Sequence, residues 1–311
     1  MNTLTKAIIK YTHPSSLILS VGAIMAGLTA SVIRGGITFF PALMTLIFAI
    51  LLQISGNIYH GYTYLNHAVA KNISGMGDPE SKRGNLAVAN LLKVVANAVV
   101  ILAVTAGLAL FSFVGWLGVA YLAVIIVILY FYLAGPHPIV RTPWSNIVTF
   151  LLFGPIAVSG TAIVQMPESS EWLPVIVYSV INGLMASNTH IAIQYLRYNE
   201  DRSNGFHSIV NEKGGSFARF IYLGNTVIVA LILIIRPTAV EFVSHWVGIA
   251  VAAVLLVSSA WVFAHMHRDP AKVSRLIRSV TMDQYILLII VLLAINLYAL
   301  DDFHIYFFHL L

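Results

Sequence analysis

The sequence FFPALMTLIFAILLQISGNIYHGYTY, residues 39–64, shows how this chain is built. It begins with an apolar run of roughly 20 residues, the length at which an α-helix crosses the hydrocarbon core of a bilayer. From Asn57 onward, polar and aromatic side chains replace the apolar ones. A helix satisfies its own backbone hydrogen bonds, so it is the form that such a run takes in lipid. The stretch therefore predicts a membrane-spanning helix that ends in a polar motif.

The composition of the whole chain leads to the same class. Hydrophobic residues make up 59% of the 311 residues and charged residues only 9%, where a soluble domain has about 25%. The mean hydropathy is +0.87. The chain has no cysteine, which excludes disulfides, thiolate metal ligands and a cysteine nucleophile. We predict an integral membrane protein of the all-α class.

Apolar runs of similar length recur along the chain, and we predict nine transmembrane helices in a single domain over residues 1–311. The predicted spans are 15–33, 37–56, 86–111, 113–134, 146–166, 173–196, 218–236, 241–265 and 283–308. A smaller loop is predicted at 266–282. The connections 57–85 and 197–217 are long, polar and rich in glycine and asparagine, and we predict them as loops as well. They follow the second and sixth spans, and we expect them to face one another over a shared cavity.

The lysines and arginines predict the orientation of these spans. With the amino terminus inside, the outer segments hold only Arg34 and Arg236, as expected if cationic loops stay in the cytoplasm. Both long loops then lie on the cytoplasmic side of the cell membrane, and the carboxyl terminus lies outside. Topology and anionic membrane lipid account for the net charge of +5, so we expect no nucleic-acid partner.

Four short segments carry a resemblance to a known family. They are FGPIAVSGT at 153–161, the Leu52-Gln53-Ile54 that leads into Asn57, Arg141, and Leu196-Arg197 followed by Asp201-Arg202. In this order they resemble the UbiA-type intramembrane prenyltransferases of the menaquinone branch, which attach a polyprenyl chain to 1,4-dihydroxy-2-naphthoate. The resemblance covers essentially the whole chain. It implies a nine-helix fold with a central cavity that opens to the cytoplasmic side.

The resemblance also implies a chemistry. In this family a prenyl diphosphate loses its diphosphate, and Mg²⁺ bound by carboxylates neutralises the departing charge. One aspartate-rich motif follows span two and another follows span six, so that opposed carboxylates hold the metal ions. Basic residues nearby bind the phosphate oxygens directly.

The first motif of this chain departs from the family pattern N-x-x-N-D-x-x-D. Asn57 is kept, but His60 replaces the second asparagine, Gly61 the first aspartate and Tyr64 the second. No carboxylate remains in the motif. Tyrosine in place of an acid favours a cavity that has been filled or remade.

The second motif departs less from its pattern, N-x-x-R-D-x-x-x-D, although it is one residue shorter. Arg197 and Asp201 match the pattern and are the candidate catalytic residues, while Tyr198 stands where the leading aspartate is expected. Glu200, and Asp78 in the first loop, are further carboxylates. If a metal is bound, we therefore predict Asp201, Glu200 and Asp78 as its ligands, the alternative for Asp78 being a solvated loop charge.

Other polar residues on the same side are candidates for substrate binding, in the head-group region where the resemblance places it. Lys93, within the third span, is an intramembrane cation that either contacts a head group or extends along the helix to the interface. The predicted substrate-binding residues are Asn57, His60, Tyr64, Lys82, Arg83, Lys93, Arg141, Tyr198 and Arg202. His60 and His67 also lie two helical turns apart, so they offer either a zinc site or ordinary hydrogen-bonding groups.

Two functions remain open at this stage. The first is a homologue with lost or strongly altered catalysis that binds an isoprenoid or quinone lipid, or serves as a membrane subunit beside a protein partner. The second is an active Mg²⁺-dependent aromatic polyprenyltransferase acting on a polyprenyl diphosphate. Loss of the carboxylates favours the first, whereas the retained arginines indicate that an anionic or lipidic ligand still binds. A transporter is not indicated, because the spans carry no chain of carboxylates for ion coupling.

Overall fold

The computed structural model describes residues 12, 16–34, 36–70, 79–135, 137–165, 171–203, 205–235 and 243–302. Within these ranges every regular element is helical, which confirms the all-α prediction. The helices are α1 (Ile18–Arg34), α2 (Phe39–Ala70), α3 (Pro79–Ser112), α4 (Trp116–Leu133), α5 (Ser145–Gln165), α6 (Leu173–Leu196), α7 (Tyr198–Ser203), α8 (Ile209–Lys213), α9 (Gly215–Ile235), α10 (Val243–His265) and α11 (Pro270–Asp302).

Seven of the described helices are long and apolar enough to cross a membrane, namely α2, α3, α4, α5, α9, α10 and α11. The apolar stretch of α1, Ile18–Val32, is shorter. The helix α6 has 24 residues, but Asn182, Asn188 and Gln194 and other polar side chains dilute its apolar character. Each of the nine predicted spans falls on a helix, and the count of nine crossings stays a prediction for α1 and α6.

The segment predicted as a loop at 57–85 is helical at both of its ends. Helix α2 continues to residue 70 and α3 begins at residue 79, so only 71–78 separates them, and these residues lie outside the described ranges. The reason is packing. Ile58 and Leu65, one heptad apart on α2, pack against Ala89, Leu92 and Ala96 of α3. Burial of this apolar stripe keeps the polar motif helical.

The last helix also begins earlier than predicted. Asp269 accepts a hydrogen bond of 3.0 Å from the backbone N–H of Ala271, and Pro270 occupies the first turn. An acidic cap followed by proline is a common way for a helix to begin. The predicted ninth span at 283–308 is therefore wrong at its start, and residues 270–282 are helical where a loop was predicted.

Polar side chains connect the helices around α6. Tyr222 of α9 donates to Gln284 of α11 over 2.6 Å, and Asn188 of α6 donates to Thr226 of α9 over 3.0 Å. Tyr285 of α11 donates to an amide oxygen of α6 over 2.8 Å. Lipid offers no competing partner for such groups, so these bonds fix how α6, α9 and α11 pack.

The segment that carries FGPIAVSGT lies in close contact with α6. A Cβ atom at Gly154 would lie 2.5 Å from the carbonyl oxygen of Ser179, so only glycine allows this approach. The turn Leu152–Ile156 is π-helical and contains a proline, which lacks a backbone N–H. The hydroxyl of Tyr121 on α4 donates to the carbonyl oxygen that ends this turn. These contacts hold the π-helical turn beside the interior of the bundle.

Candidate functional site

A cavity of about 450 Å³ lies between α1, α2, α4, α5 and α6. Its polar residues gather at the end of the bundle where α2 and α6 end and α11 begins, which we call the motif end. We call five of its lining residues the mouth: Asn57, His60, His190, Arg197 and Arg278. The cavity thus begins among hydrogen-bonding and cationic groups.

The other end of the cavity is predominantly apolar. Its lining residues there are mainly hydrocarbon or aromatic: Ile24, Phe48, Phe111, Ile125 and Ile156. His60 and Thr45 line the cavity from opposite ends of one stretch of α2, about 22 Å apart along the helix axis. This arrangement suits a long amphiphile with its head group at the mouth and its chain inside the bundle.

Amide groups on α2 hold the start of α1 in place. The side-chain nitrogen of Asn57 donates to the carbonyl oxygen of Thr12 over 2.8 Å and to the hydroxyl of Ser16 over 2.9 Å. Gln53 accepts a bond of 3.2 Å from the backbone N–H of Ser20. Asn57, predicted to bind substrate, therefore lines the cavity and also joins α2 to the segment before α1.

His190 lies within a hydrogen-bonded group of α5 and α6. Its Nε2 atom lies 3.3 Å from the hydroxyl of Ser145, which also accepts a bond of 3.1 Å from Gln194. Asn146 donates to Gln194 over 3.3 Å. These bonds orient the imidazole along the wall of the cavity.

The two predicted motifs meet at the motif end. The hydroxyl of Tyr64 on α2 donates to Oε1 of Glu200 on α7 over 2.8 Å. Phe206, which is buried, lies with its ring centroid 5.9 Å from that of Tyr64 and 5.7 Å from that of His60. The guanidinium carbon of Arg141 lies 5.2 Å from the centre of the same ring. An aromatic and cationic cluster therefore occupies the space between the motifs.

Arg141 also holds this cluster to α2. It donates to the carbonyl oxygen of Thr63 over 2.9 Å and lies 3.3 Å from Nδ1 of His67. Its own carbonyl oxygen accepts a bond of 2.8 Å from the backbone N–H of His207. Burial lowers the pKa of the Arg141 guanidinium from its ordinary value. Arg141 thus ties α2 to the segments before α5 and after α7.

Asp201, the carboxylate retained in the second motif, is 7% exposed. Burial raises the pKa of its carboxyl group to about 7, although the charge of Arg197 acts in the opposite direction. Its backbone N–H donates to the carbonyl oxygen of Arg197 over 2.8 Å. Asp201 is therefore next to the mouth, but it is not among the residues that line the cavity.

The remaining predicted residues whose side chains the structure describes lie away from the cavity. Lys93 is exposed on α3, and its ammonium nitrogen lies 5.5 Å from the centre of the Tyr62 ring. Arg83 is exposed near the start of α3. Arg202 approaches the hydroxyl of Tyr198 at 3.5 Å on an exposed part of α7. Asp78 lies outside the described residues, and only the helical backbone of Lys82 is described.

The residues that the structure describes at this end of the bundle do not fit a pair of Mg²⁺ ions. Magnesium favours carboxylate and phosphate oxygens in octahedral geometry. None of the described residues that line the cavity is an aspartate or glutamate. No group of three His, Asp or Glu side chains in the described part of the chain is placed to hold a metal ion.

Sequence reasoning missed His190 and Arg278 as site residues. His190 was grouped with the histidines near the cytoplasmic face and was not chosen as a site residue, although a polar residue within a predicted span was a signal that could have singled it out. Arg278 was assigned to a loop. Recognition of Asp269-Pro270 as a helix start would have placed it two turns along α11.

Comparisons with known proteins agree with this architecture. The model of the UbiA prenyltransferase family matches residues 20–282. Comparison with curated proteins gives no match. Among solved structures, a UbiA homologue from Archaeoglobus fulgidus has a TM-score of 0.64 at 14% identity and covers 93% of this chain and 99% of that one.

Two further solved structures are similar. The Archaeoglobus fulgidus homologue bound to DMAPP and Mg²⁺ has a TM-score of 0.62 at 10% identity, over 95% of this chain and 99% of its own. The UbiA homologue from Aeropyrum pernix K1 has a TM-score of 0.61 at 15% identity, over 90% and 98%. At these identities the likeness establishes the fold.

Proposed function

This chain belongs to the UbiA prenyltransferase family, and from that premise we propose that it binds an isoprenoid lipid in its cavity without transferring the prenyl chain. The observation that carries the proposal is the composition of the cavity wall. An apolar interior opens at a mouth that holds Arg197 and Arg278, and none of the described wall residues is a carboxylate.

The apolar interior supports a hydrocarbon ligand. Transfer of an isoprenoid chain from water into a wall of aromatic and aliphatic side chains is favourable by about 25 cal/mol for each Å² of apolar surface buried. The cationic and amide side chains of the mouth then fix the head group and the direction of insertion. An isoprenoid with a polar head, whether a prenyl phosphate or a quinone, matches a cavity that is polar at the mouth and apolar inside.

The mouth gives little support to prenyl transfer. The allylic carbon–oxygen bond breaks only when the charge on the departing diphosphate is stabilised, which Mg²⁺ does when carboxylates hold it. In this chain Gly61 and Tyr64 stand where the family pattern has aspartates, and the hydroxyl of Tyr64 is bonded to Glu200. We therefore propose that catalysis is lost or strongly altered.

A second function is supported by one specific observation, the retention of Arg197 beside the buried Asp201. With these two residues and a phosphate-bound Mg²⁺, the chain would act as an aromatic polyprenyltransferase like those of the menaquinone branch. Asp201 would supply a metal ligand and Arg197 a contact to the diphosphate.

We also propose that the motif end faces the cytoplasm in a nine-span protein of the cell membrane. The supporting observation is that lysine and arginine are concentrated in the segments that connect the helices at that end. The mouth is then reached from the cytoplasm or from the inner leaflet, where prenyl diphosphates and quinones are available.

One experiment separates the two functions. The full chain in detergent is supplied with Mg²⁺, geranylgeranyl diphosphate and 1,4-dihydroxy-2-naphthoate, and the product is followed by mass spectrometry. We expect geranylgeranyl diphosphate to bind at one equivalent and no coupled product to form. Product formation that Asp201→Ala abolishes would reject the binding function and establish the enzyme.

A further inference from the structure

We propose that the mouth binds the phosphate group of an isoprenoid phosphate directly, through Arg197 and Arg278 and without a divalent metal. This inference rests on the proposed function and names its ligand class. It departs from the solved relative that is described as bound to DMAPP together with Mg²⁺.

The first step is the convergence of two arginines on one cavity. Arg197 follows the last turn of α6 and Arg278 lies in the third turn of α11, so they reach the wall from different helices. A guanidinium group offers parallel N–H donors that match two oxygens of a phosphate. Two such groups can bind several of the oxygens that a phosphate or diphosphate presents.

The second step is the sign of the charge at the mouth. Among the described residues of the cavity wall, the ionised side chains are arginines, and the imidazoles of His60 and His190 add hydrogen-bonding groups. Like charges repel strongly where water is scarce, so a bare divalent cation is disfavoured beside these groups. An anion is the matched ligand. The arginines neutralise the negative charge of the phosphate, as Mg²⁺ does in a site built from carboxylates.

The third step is the fixed geometry of the two arginines. The buried hydroxyl of Tyr195, two residues before Arg197, donates to the carbonyl oxygen of Arg268 in the turn that precedes α11. Gly215 of α9 also lies against this turn, since a Cβ there would be 2.3 Å from the carbonyl oxygen of Met266. These contacts join the end of α6 and the start of α9 to the turn before α11, and so connect the two elements that carry Arg197 and Arg278.

The fourth step is the choice among anionic lipids. A carboxylate has two oxygens and satisfies one guanidinium, whereas phosphate esters have enough oxygens for two. The length and apolar lining of the cavity require an extended hydrocarbon chain. An isoprenoid monophosphate or diphosphate meets both requirements, whereas a quinone can accept hydrogen bonds from the arginines but, being neutral, does not balance their charge.

The test measures binding to the full chain in detergent by isothermal titration calorimetry. Geranylgeranyl diphosphate and geranylgeraniol are titrated in EDTA and again in Mg²⁺. We expect geranylgeranyl diphosphate to bind in EDTA with a Kd within about threefold of the Kd in Mg²⁺. Arg278→Gln and Arg197→Gln are each expected to weaken diphosphate binding by about 10- to 100-fold, the value of a hydrogen bond to a charged group.

The controls separate phosphate recognition from stability. Arg275→Gln changes an exposed arginine of the same helix and is expected to leave both affinities unchanged. Arg278→Lys keeps the charge and is expected to recover part of the affinity, and melting temperatures verify that every variant folds. Inorganic pyrophosphate is expected to compete with the diphosphate lipid and not with geranylgeraniol.

The outcomes distinguish this inference from the proposed function. Two results overturn the metal-free binding of phosphate by Arg197 and Arg278: binding of the diphosphate only in Mg²⁺, or an equal loss of affinity for the alcohol and the diphosphate in Arg278→Gln. Either result leaves an isoprenoid-binding cavity. Failure of both lipids to bind overturns the proposed function as well.

Discussion

Tyr64 and Glu200 are joined by a hydrogen bond of 2.8 Å from a phenol to a carboxylate. The resemblance to the family pattern implies an aspartate at the position of Tyr64, and Glu200 lies in the second predicted motif. The two predicted motifs of this chain are therefore connected directly, by a hydrogen bond between side chains. Phe206 packs beside this bond, and its ring contacts both Tyr64 and His60.

This relationship predicts the result of restoring an acid at position 64. Tyr64→Asp removes the hydrogen bond and places a second carboxylate opposite Glu200, where like charges destabilise the fold. We expect a lower Tm in EDTA and a rise of several degrees in millimolar Mg²⁺, because a ligand that binds only the folded state stabilises it. The unmodified protein is expected to show no such rise. Differential scanning fluorimetry in both buffers makes the comparison.

A conservative change at the same position provides the control. Tyr64→Phe removes the hydroxyl without adding charge, so it is expected to lower the Tm slightly in both buffers, by the loss of one exposed hydrogen bond worth about 0.5–1.5 kcal/mol. If Tyr64→Phe gained the same Mg²⁺ response as Tyr64→Asp, the new carboxylate would not be the cause of that response.

The buried carboxyl of Asp201 predicts a dependence of stability on pH. Burial raises its pKa to about 7 from 3.8, so between these values the folded state holds a proton that the unfolded state has released. The contribution of Asp201 to stability is therefore fully present below about pH 4 and is lost as the pH rises through 7. We expect Asp201→Asn, which stays neutral, to be the more stable protein above pH 7, by roughly 1–3 kcal/mol.

The measurement is the difference in Tm between Asp201→Asn and the unmodified protein from pH 4 to pH 8. Both proteins share the other groups that titrate in this range, so the difference in Tm reports the carboxyl of Asp201 alone. Asn199→Ala, at an exposed position of the same short helix, is the matched control and is expected to give a constant difference. A constant difference for Asp201→Asn as well would mean that folding does not raise the pKa of this carboxyl.

The sequence predicted the architecture well because apolar run length is a local property. Each predicted span falls on a helix. The predicted loop at 57–85 is largely helical because Ile58 and Leu65 continue an apolar stripe, which becomes visible once α3 is placed beside it. The site was harder. Arg278 and His190 reach the cavity through tertiary packing, while Lys93 lies on an outer face. Sequence position alone does not distinguish these orientations.

Asn57 was predicted to bind substrate, but its side-chain amide is hydrogen-bonded to the segment before α1, and this gives a third prediction. Asn57→Ala removes two hydrogen bonds to the segment before α1, so we expect unfolding to become easier by about 1–3 kcal/mol. Binding of geranylgeranyl diphosphate is expected to weaken less than it does in Arg278→Gln, because the amide is occupied by Thr12 and Ser16. Chemical denaturation and calorimetry measure the two effects separately. A large loss of affinity with unchanged stability would assign Asn57 to the head group.

The apolar interior predicts discrimination by chain length. Ala49 lines the cavity from α2, so Ala49→Phe fills part of the space that the hydrocarbon chain requires. We expect the affinity for geranylgeranyl diphosphate to fall by at least about tenfold, since overfilling a packed interior costs typically 1–3 kcal/mol, while geranyl diphosphate, with a shorter chain, loses less. Ile47→Phe, at an outward-facing position of the same helix, is the matched control and should leave both affinities unchanged. Equal losses for both lipids with Ala49→Phe would show that the chain does not extend into the space beside α2.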